Sequence, residues 1–148
     1  MSKLFLYYSL TGNGDLLSES FLKNGYEIRK VIEKKKMPKK FFFRVLVGGF
    51  RAGMHLKGEL INFDSDVSSF EEIVIGSPVW NGRFPPAINS VLKQVDLTNK
   101  KVTFLFYSGS GEQPKVTKWI NHHSPQSNVV VLKEPKKHSN ELEKTSQF

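Results

Sequence analysis

Three runs of this chain are apolar without alternation, and each stops at a cluster of turn-forming residues. Lys3-Leu-Phe-Leu-Tyr-Tyr8 ends at Ser9-Leu-Thr-Gly-Asn-Gly14, Ile73-Val-Ile-Gly76 at Ser77-Pro78, and Val102-Thr-Phe-Leu-Phe-Tyr107 at Ser108-Gly-Ser-Gly111. A strand with one face in water alternates apolar and polar residues, so a continuous run marks a strand covered on both faces. Tyr26–Ile32 alternates more nearly and Val129–Leu132 is short, which suits the edges of the same sheet.

Helical patterns lie between the strands. Leu16, Leu17 and Phe21 are closed by Asn24-Gly25, Ile88, Val91, Leu92 and Val95 follow Pro85-Pro86, and Val116, Trp119 and Ile120 follow Pro114. Phe41 to Met54 reads as an apolar helix interrupted by Gly48-Gly49 and stays ambiguous. Strands alternating with helices predict an α/β three-layer sandwich on a five-stranded parallel sheet. The pattern fits one domain over 1–148, with 136–148 a frayed tail or a short closing helix around Leu142.

Composition removes whole classes of chemistry. With no cysteine among 148 residues there is no disulfide, thiolate nucleophile or iron–sulfur cluster. No apolar run approaches the roughly 20 residues of a membrane helix, and the start lacks a signal-peptide cleavage site, so a cytoplasmic protein without a membrane partner is expected. Lys+Arg 22 against Asp+Glu 14 gives +8, which favours acidic partners. Charge alone favours nucleic acid, since the aromatics fall mostly in predicted strands and form no stacking platform. His122-His123 has no carboxylate or cysteine at ligand spacing, so no metal is assigned and the pair reads as solvated cap residues.

In an open parallel sheet ligands bind beyond the carboxyl ends of the strands, which directs attention to the three loops. Ser9 to Gly14 offers hydroxyls, an amide and glycine-freed N–H groups before a helix, either a phosphate cradle or a plain strand-to-helix turn. Ser77-Pro-Val-Trp-Asn-Gly-Arg83 presents Trp80 either to a planar ligand or to the core. Ser108-Gly-Ser-Gly-Glu112 lacks bulk, which either admits a flat ring or simply turns the chain.

Taken together the three loops resemble those of the flavodoxin-like family. Tyr7-Tyr8-Ser9-Leu-Thr-Gly-Asn13 is similar to the flavodoxin phosphate loop, Ile75-Gly-Ser-Pro-Val-Trp-Asn-Gly-Arg-Phe-Pro-Pro86 to the flavin-ring loop of short members, and Ser108-Gly-Ser-Gly111 to their third loop. The resemblance implies strand order 2-1-3-4-5 with flavin mononucleotide (FMN) at the switch point. It assigns the phosphate to Ser9, Thr11, Gly12, Asn13 and Gly14. The ring falls to Trp80, shaped by Pro78, Val79, Asn81, Gly82 and Arg83, with Ser108, Gly109 and Gly111 along its pyrimidine edge.

Two departures from the family pattern stand out. Gly14 replaces a hydroxyl residue, and Asp15 beside it adds a negative charge that opposes anion binding. Family carriers are typically acidic, whereas this chain is basic.

The function these readings imply is electron transfer through FMN, with no acid–base pair required. A small NAD(P)H-dependent flavin or quinone reductase is one alternative, and a flavin-free regulatory or binding module on the same fold is another. A phosphoacceptor receiver is disfavoured because Tyr8-Ser9 stands where its aspartate would be. Lys34, Lys35, Lys36, Lys39 and Lys40 follow the second strand and are expected to rim the site, facing an acidic redox partner or NAD(P)H.

Overall fold

The computed structural model describes residues 2–34 and 58–148. Five parallel strands, β1 (Lys3–Tyr7), β2 (Glu27–Lys30), β3 (Glu72–Pro78), β4 (Lys101–Ser108) and β5 (Asn128–Lys133), form one sheet in the order β2-β1-β3-β4-β5. Among the described residues the helices are α1 (Asn13–Lys23), α2 (Pro86–Gln94) and α3 (Pro114–His123), followed by a 3₁₀ helix over Ser139–Thr145. The ambiguous segment from Phe41 to Met54 lies outside the described residues. Among those described, no helix is long and apolar enough to cross a membrane.

The unbroken apolar runs are explained by two separate cores. Leu4, Leu6 and Tyr8 of the first run, Ile73 and Ile75 of the second and Phe104 and Phe106 of the third point to one face. There they meet Ala87, Ile88 and Val91 of α2 and Val116 and Ile120 of α3. The intervening residues Phe5, Tyr7, Val74, Leu105 and Tyr107 point to the other face and meet Leu17 and Phe21 of α1. Successive residues of a strand face opposite ways, so a strand between two helical layers must be apolar at every position.

Pro86 and Pro114 open their helices at the first turn, where a missing N–H costs no bond. α1 ends at Lys23, and Gly25 turns the chain with a φ of 82°.

The structure departs from the sequence expectations in the extent of β3. β3 runs on through Ser77 to Pro78, beyond the expected stop at Gly76, because β4 continues beside it and pairs Ser77 with Phe106 and Pro78 with Tyr107. The end of the chain, expected as a frayed tail or a short closing helix, holds a 3₁₀ helix over Ser139–Thr145. Leu142 and Phe148 pack onto the second core, where the Phe148 ring lies 5.4 Å from Phe21.

At the amino edge of the sheet, the buried Glu72 carboxylate accepts the Tyr26 hydroxyl at 2.6 Å and lies 3.2 Å from the Lys101 ammonium. Burial works against its charge, but these two donors outweigh it and hold the carboxyl below its usual pKa of 4.5. A lowered folded-state pKa stabilises the protein above the unfolded value, and that stability is lost as pH falls below 4.5 and through the folded value. Tyr26→Phe is expected to cost about 1–3 kcal/mol in urea unfolding at neutral pH, because Glu72 loses a buried donor. Its stability should also fall less steeply than wild type on acidification from about pH 5 to about pH 3.

Candidate functional site

All three loops leave the sheet by one edge. β1 and β3 pair Tyr7 with Gly76, β3 and β4 pair Pro78 with Tyr107, and β4 and β5 pair Ser108 with Lys133. The residues that follow, Ser9–Gly14, Val79–Arg83 and Gly109–Gly111, therefore emerge beside one another. The Tyr8 N–H donates to the Gly76 carbonyl at 3.0 Å, and the buried Tyr107 hydroxyl donates to the Tyr8 carbonyl, tying the first loop to both other strands.

In the first loop Gly12 precedes α1 with a φ of 90° and caps it without a side-chain bond. The Gly14 N–H donates to Ser9 Oγ at 3.1 Å, and Asn13 Nδ2 donates to Thr11 Oγ1 at 3.2 Å. Both hydroxyls act as acceptors in these bonds, so each retains an O–H that can be offered to a ligand. Asn13 is buried, and its Oδ1 accepts the backbone N–H of Lys136 at 3.0 Å. The Lys136 ammonium donates to the Thr11 carbonyl at 3.3 Å.

The second loop is a two-residue hairpin. Trp80 and Arg83 exchange backbone bonds of 3.0 and 3.1 Å around Asn81 and Gly82, whose φ angles are 52° and 71°. Two left-handed central residues define a type I′ turn, the geometry for which Asn-Gly is the favoured pair. Trp80 is half-buried, with its ring 6.1 Å from Tyr8 in an edge-on contact. It is anchored by the core and also reaches the surface. Beside the turn a cavity of about 220 Å³ is lined by Gly82, Arg83, Phe84, Asn89, Lys115, Val116 and Trp119. No residue of the first or third loop reaches it, so it adjoins the convergence of the loops without belonging to it.

In the third loop the buried Ser108 accepts the Gly111 N–H at 3.2 Å, which closes the turn. A Cβ placed on Gly109 would meet nothing within 4 Å, so this stretch of backbone is open to approach. Of the histidine pair, His123 stacks on Trp119 at 4.2 Å, and its Nδ1 lies 2.9 Å from the Trp119 carbonyl, consistent with a cap role at the end of α3.

The two departures in the first loop have structural causes. Asp15 accepts both the Lys30 ammonium and the Tyr7 hydroxyl at 2.7 Å. Burial opposes its charge, but these partners prevail and hold its carboxyl below the usual range, while burial and Asp15 push Tyr7 up to about 12. The negative charge that seemed set to oppose an anion is thus neutralised at its source. Gly14 is dictated by packing: a Cβ there would come within 2.6 Å of Tyr7 Cδ2, 2.7 Å of the Tyr107 hydroxyl and 2.9 Å of Ser9 Cβ.

Of the lysine run, Lys34 is described and pairs with Glu59 at 3.5 Å, while Lys35, Lys36, Lys39 and Lys40 lie outside the described residues. Sequence reasoning missed Lys136, which follows β5 at the start of the segment read as a frayed tail or a short closing helix. The available signal was the spacing of Leu142 and Phe148, which docks the chain end on the same face as α1. Gly14→Thr, which would supply the hydroxyl found in similar loops, is expected to cost about 1–3 kcal/mol in chemical denaturation, because neither tyrosine can yield without moving core.

No protein-family profile matches the chain, and neither does any curated protein. Solved structures do. A candidate flavoprotein from Bacteroides eggerthii DSM 20697 is similar at 16% identity over 96% of both chains, with a TM-score of 0.74. The flavoprotein of Lactobacillus acidophilus NCFM, solved in complex with FMN, is 21% identical over 94% of this chain and 97% of its own, with a TM-score of 0.67. A candidate quinone reductase from Klebsiella pneumoniae covers 99% of this chain and 85% of its own at 10% identity, with a TM-score of 0.51. At these identities the likeness establishes architecture, and together with the strand order it shows that this chain has the flavodoxin-like fold.

Proposed function

We propose that this protein binds FMN and transfers electrons through it. The observation that carries the reading is the convergence of three chemically distinct loops on one sheet edge: a hydroxyl-rich turn before α1, a hairpin bearing a half-buried tryptophan, and an open glycine turn. FMN combines a phosphate, a conjugated ring and a polar ring edge in one molecule. The FMN complex of the L. acidophilus flavoprotein, which shares this fold over nearly its full length, supports the same ligand.

The residues fit the ligand. Ser9 and Thr11 retain donors toward the phosphate, and the start of α1 contributes the positive end of its dipole. Trp80 offers an aromatic face to the ring, while backbone groups at Asn81-Gly82 and Gly109 supply polar contacts. When bound, the flavin supplies the redox chemistry, and this chain binds it, orients it and excludes water from one face.

Reduced nicotinamide or an acidic redox protein would serve as electron source or sink. The similarity to the Klebsiella protein favours a reductase as the second reading. Oxidation of NAD(P)H by the FMN-loaded protein would identify a reductase, and inertness toward both nicotinamides would identify a carrier.

Apoprotein titrated with flavins is expected to bind FMN more tightly than riboflavin and to quench flavin fluorescence. Trp80→Ala should weaken FMN binding by about tenfold and restore fluorescence, through the loss of ring contact. Binding and quenching equal to wild type would make Trp80 a core residue and nothing more.

A further inference from the structure

The chain leaving β5 makes a tight turn that reaches back across the α1 face. The Glu134 N–H donates to the Ser108 carbonyl at 3.0 Å, and the N–H groups of Lys137 and His138 return to the Glu134 carbonyl at 2.8 and 3.1 Å. Glu134 takes a φ of 33°, a left-handed conformation uncommon for a side-chain-bearing residue. The turn delivers Lys136 to the first loop, where its N–H holds Asn13 Oδ1 and its ammonium meets the Thr11 carbonyl. A Cβ placed on Gly12 would lie 3.3 Å from that ammonium, so the charge sits directly over the residue that precedes α1.

The neighbouring cations are paired: Lys137 with Glu134 at 3.2 Å and Lys30 with Asp15 at 2.7 Å. Lys136 has no carboxylate within salt-bridge distance among the described residues. An ammonium carries three donors, and one neutral carbonyl uses one of them.

We infer that Lys136 is the counter-ion of the FMN phosphate, an assignment that rests on the FMN reading above. A phosphate monoester is close to dianionic at neutral pH, its second pKa being about 6. The first loop offers it two hydroxyls and the fractional charge of a helix end, and Gly14 cannot offer a third hydroxyl beneath Tyr7 and Tyr107. Lys136 supplies a full positive charge in a charge-assisted bond, from a segment far along the chain. The turn after β5 is then part of the ligand site, and preference for FMN over riboflavin is carried by charge more than by hydroxyl count.

The test is titration of apoprotein with FMN and with riboflavin, at low and high salt, for wild type, Lys136→Met and Lys136→Arg. Lys136→Met is expected to weaken FMN binding by about tenfold or more, a loss typical of a charged hydrogen bond. Riboflavin affinity should stay within about twofold, because that ligand lacks the phosphate charge. The salt dependence of FMN binding should flatten in Lys136→Met, and Lys136→Arg should retain most of the affinity. The Lys136 side chain is exposed, so the variant's unfolding midpoint should match wild type and verify an intact fold. Equal losses for FMN and riboflavin would make Lys136 a strut for the loop and overturn the assignment, as would an unchanged ratio of the two affinities. Failure of wild type to bind either flavin would overturn the FMN reading itself, and the role of Lys136 with it.

Discussion

In a parallel sheet every loop that follows a strand leaves by the same edge, and this one constraint assembles the site. Residues 9–14, 79–83 and 109–111 are far apart in sequence, but pairing Tyr7 with Gly76 and Pro78 with Tyr107 fixes their starting points side by side. The register is enforced by burial. A one-residue slip of β1 would send Leu4 and Leu6 toward α1 and Phe5 toward α2, and the two cores have different shapes to fill. The Tyr107 hydroxyl on the Tyr8 carbonyl locks the same relation at the edge itself, across a strand that lies between them.

Packing and site chemistry meet at Tyr7. Its ring stacks on Phe5 in the second core at 5.1 Å, its edge bears on Gly14, and its hydroxyl holds Asp15. A glycine that looked like a lost ligand contact is therefore selected by packing against Tyr7, together with Tyr107 and Ser9. The same ring carries the core's positional order into the start of α1. Close-packed interiors transmit small displacements rather than absorbing them, so the first loop inherits the rigidity of the sheet.

What the sequence revealed follows from which forces are local. The buried strands were visible because double burial demands an unbroken apolar run, and Pro86 and Pro114 marked helix starts because proline restricts only its own turn. The type I′ turn at Asn81-Gly82 rests on an equally local signal, the left-handed preference of that pair, although the sequence reading placed the two residues only within the loop after β3. The partners of Asp15 were not legible, because Lys30 reaches it only once β2 lies beside β1. The placement of Lys136 over Gly12 is similarly long-range: the spacing of Leu142 and Phe148 hints that the chain end docks, but not that it does so against Phe21 and beside the first loop.

The net charge of +8 reads differently once pairs are assigned. Lys30, Lys34, Lys101, Lys137 and Lys144 each face a carboxylate, at distances between 2.6 and 3.5 Å, so these pairs are locally neutral and the excess resides on the other basic residues. Exposed pairs of this kind contribute little to stability, and their fields die within a Debye length of about 8 Å at physiological salt. Among the described residues, the first loop carries the sum of Asp15, Lys30 and Lys136, a local excess of one positive charge set at a helix amino terminus. The helix dipole and that excess have the same sign and act on the same few ångströms, so they reinforce each other where a diffuse surface charge would not. Among the described residues, the basic composition thus matters to the site through Lys136, which has no carboxylate within salt-bridge distance.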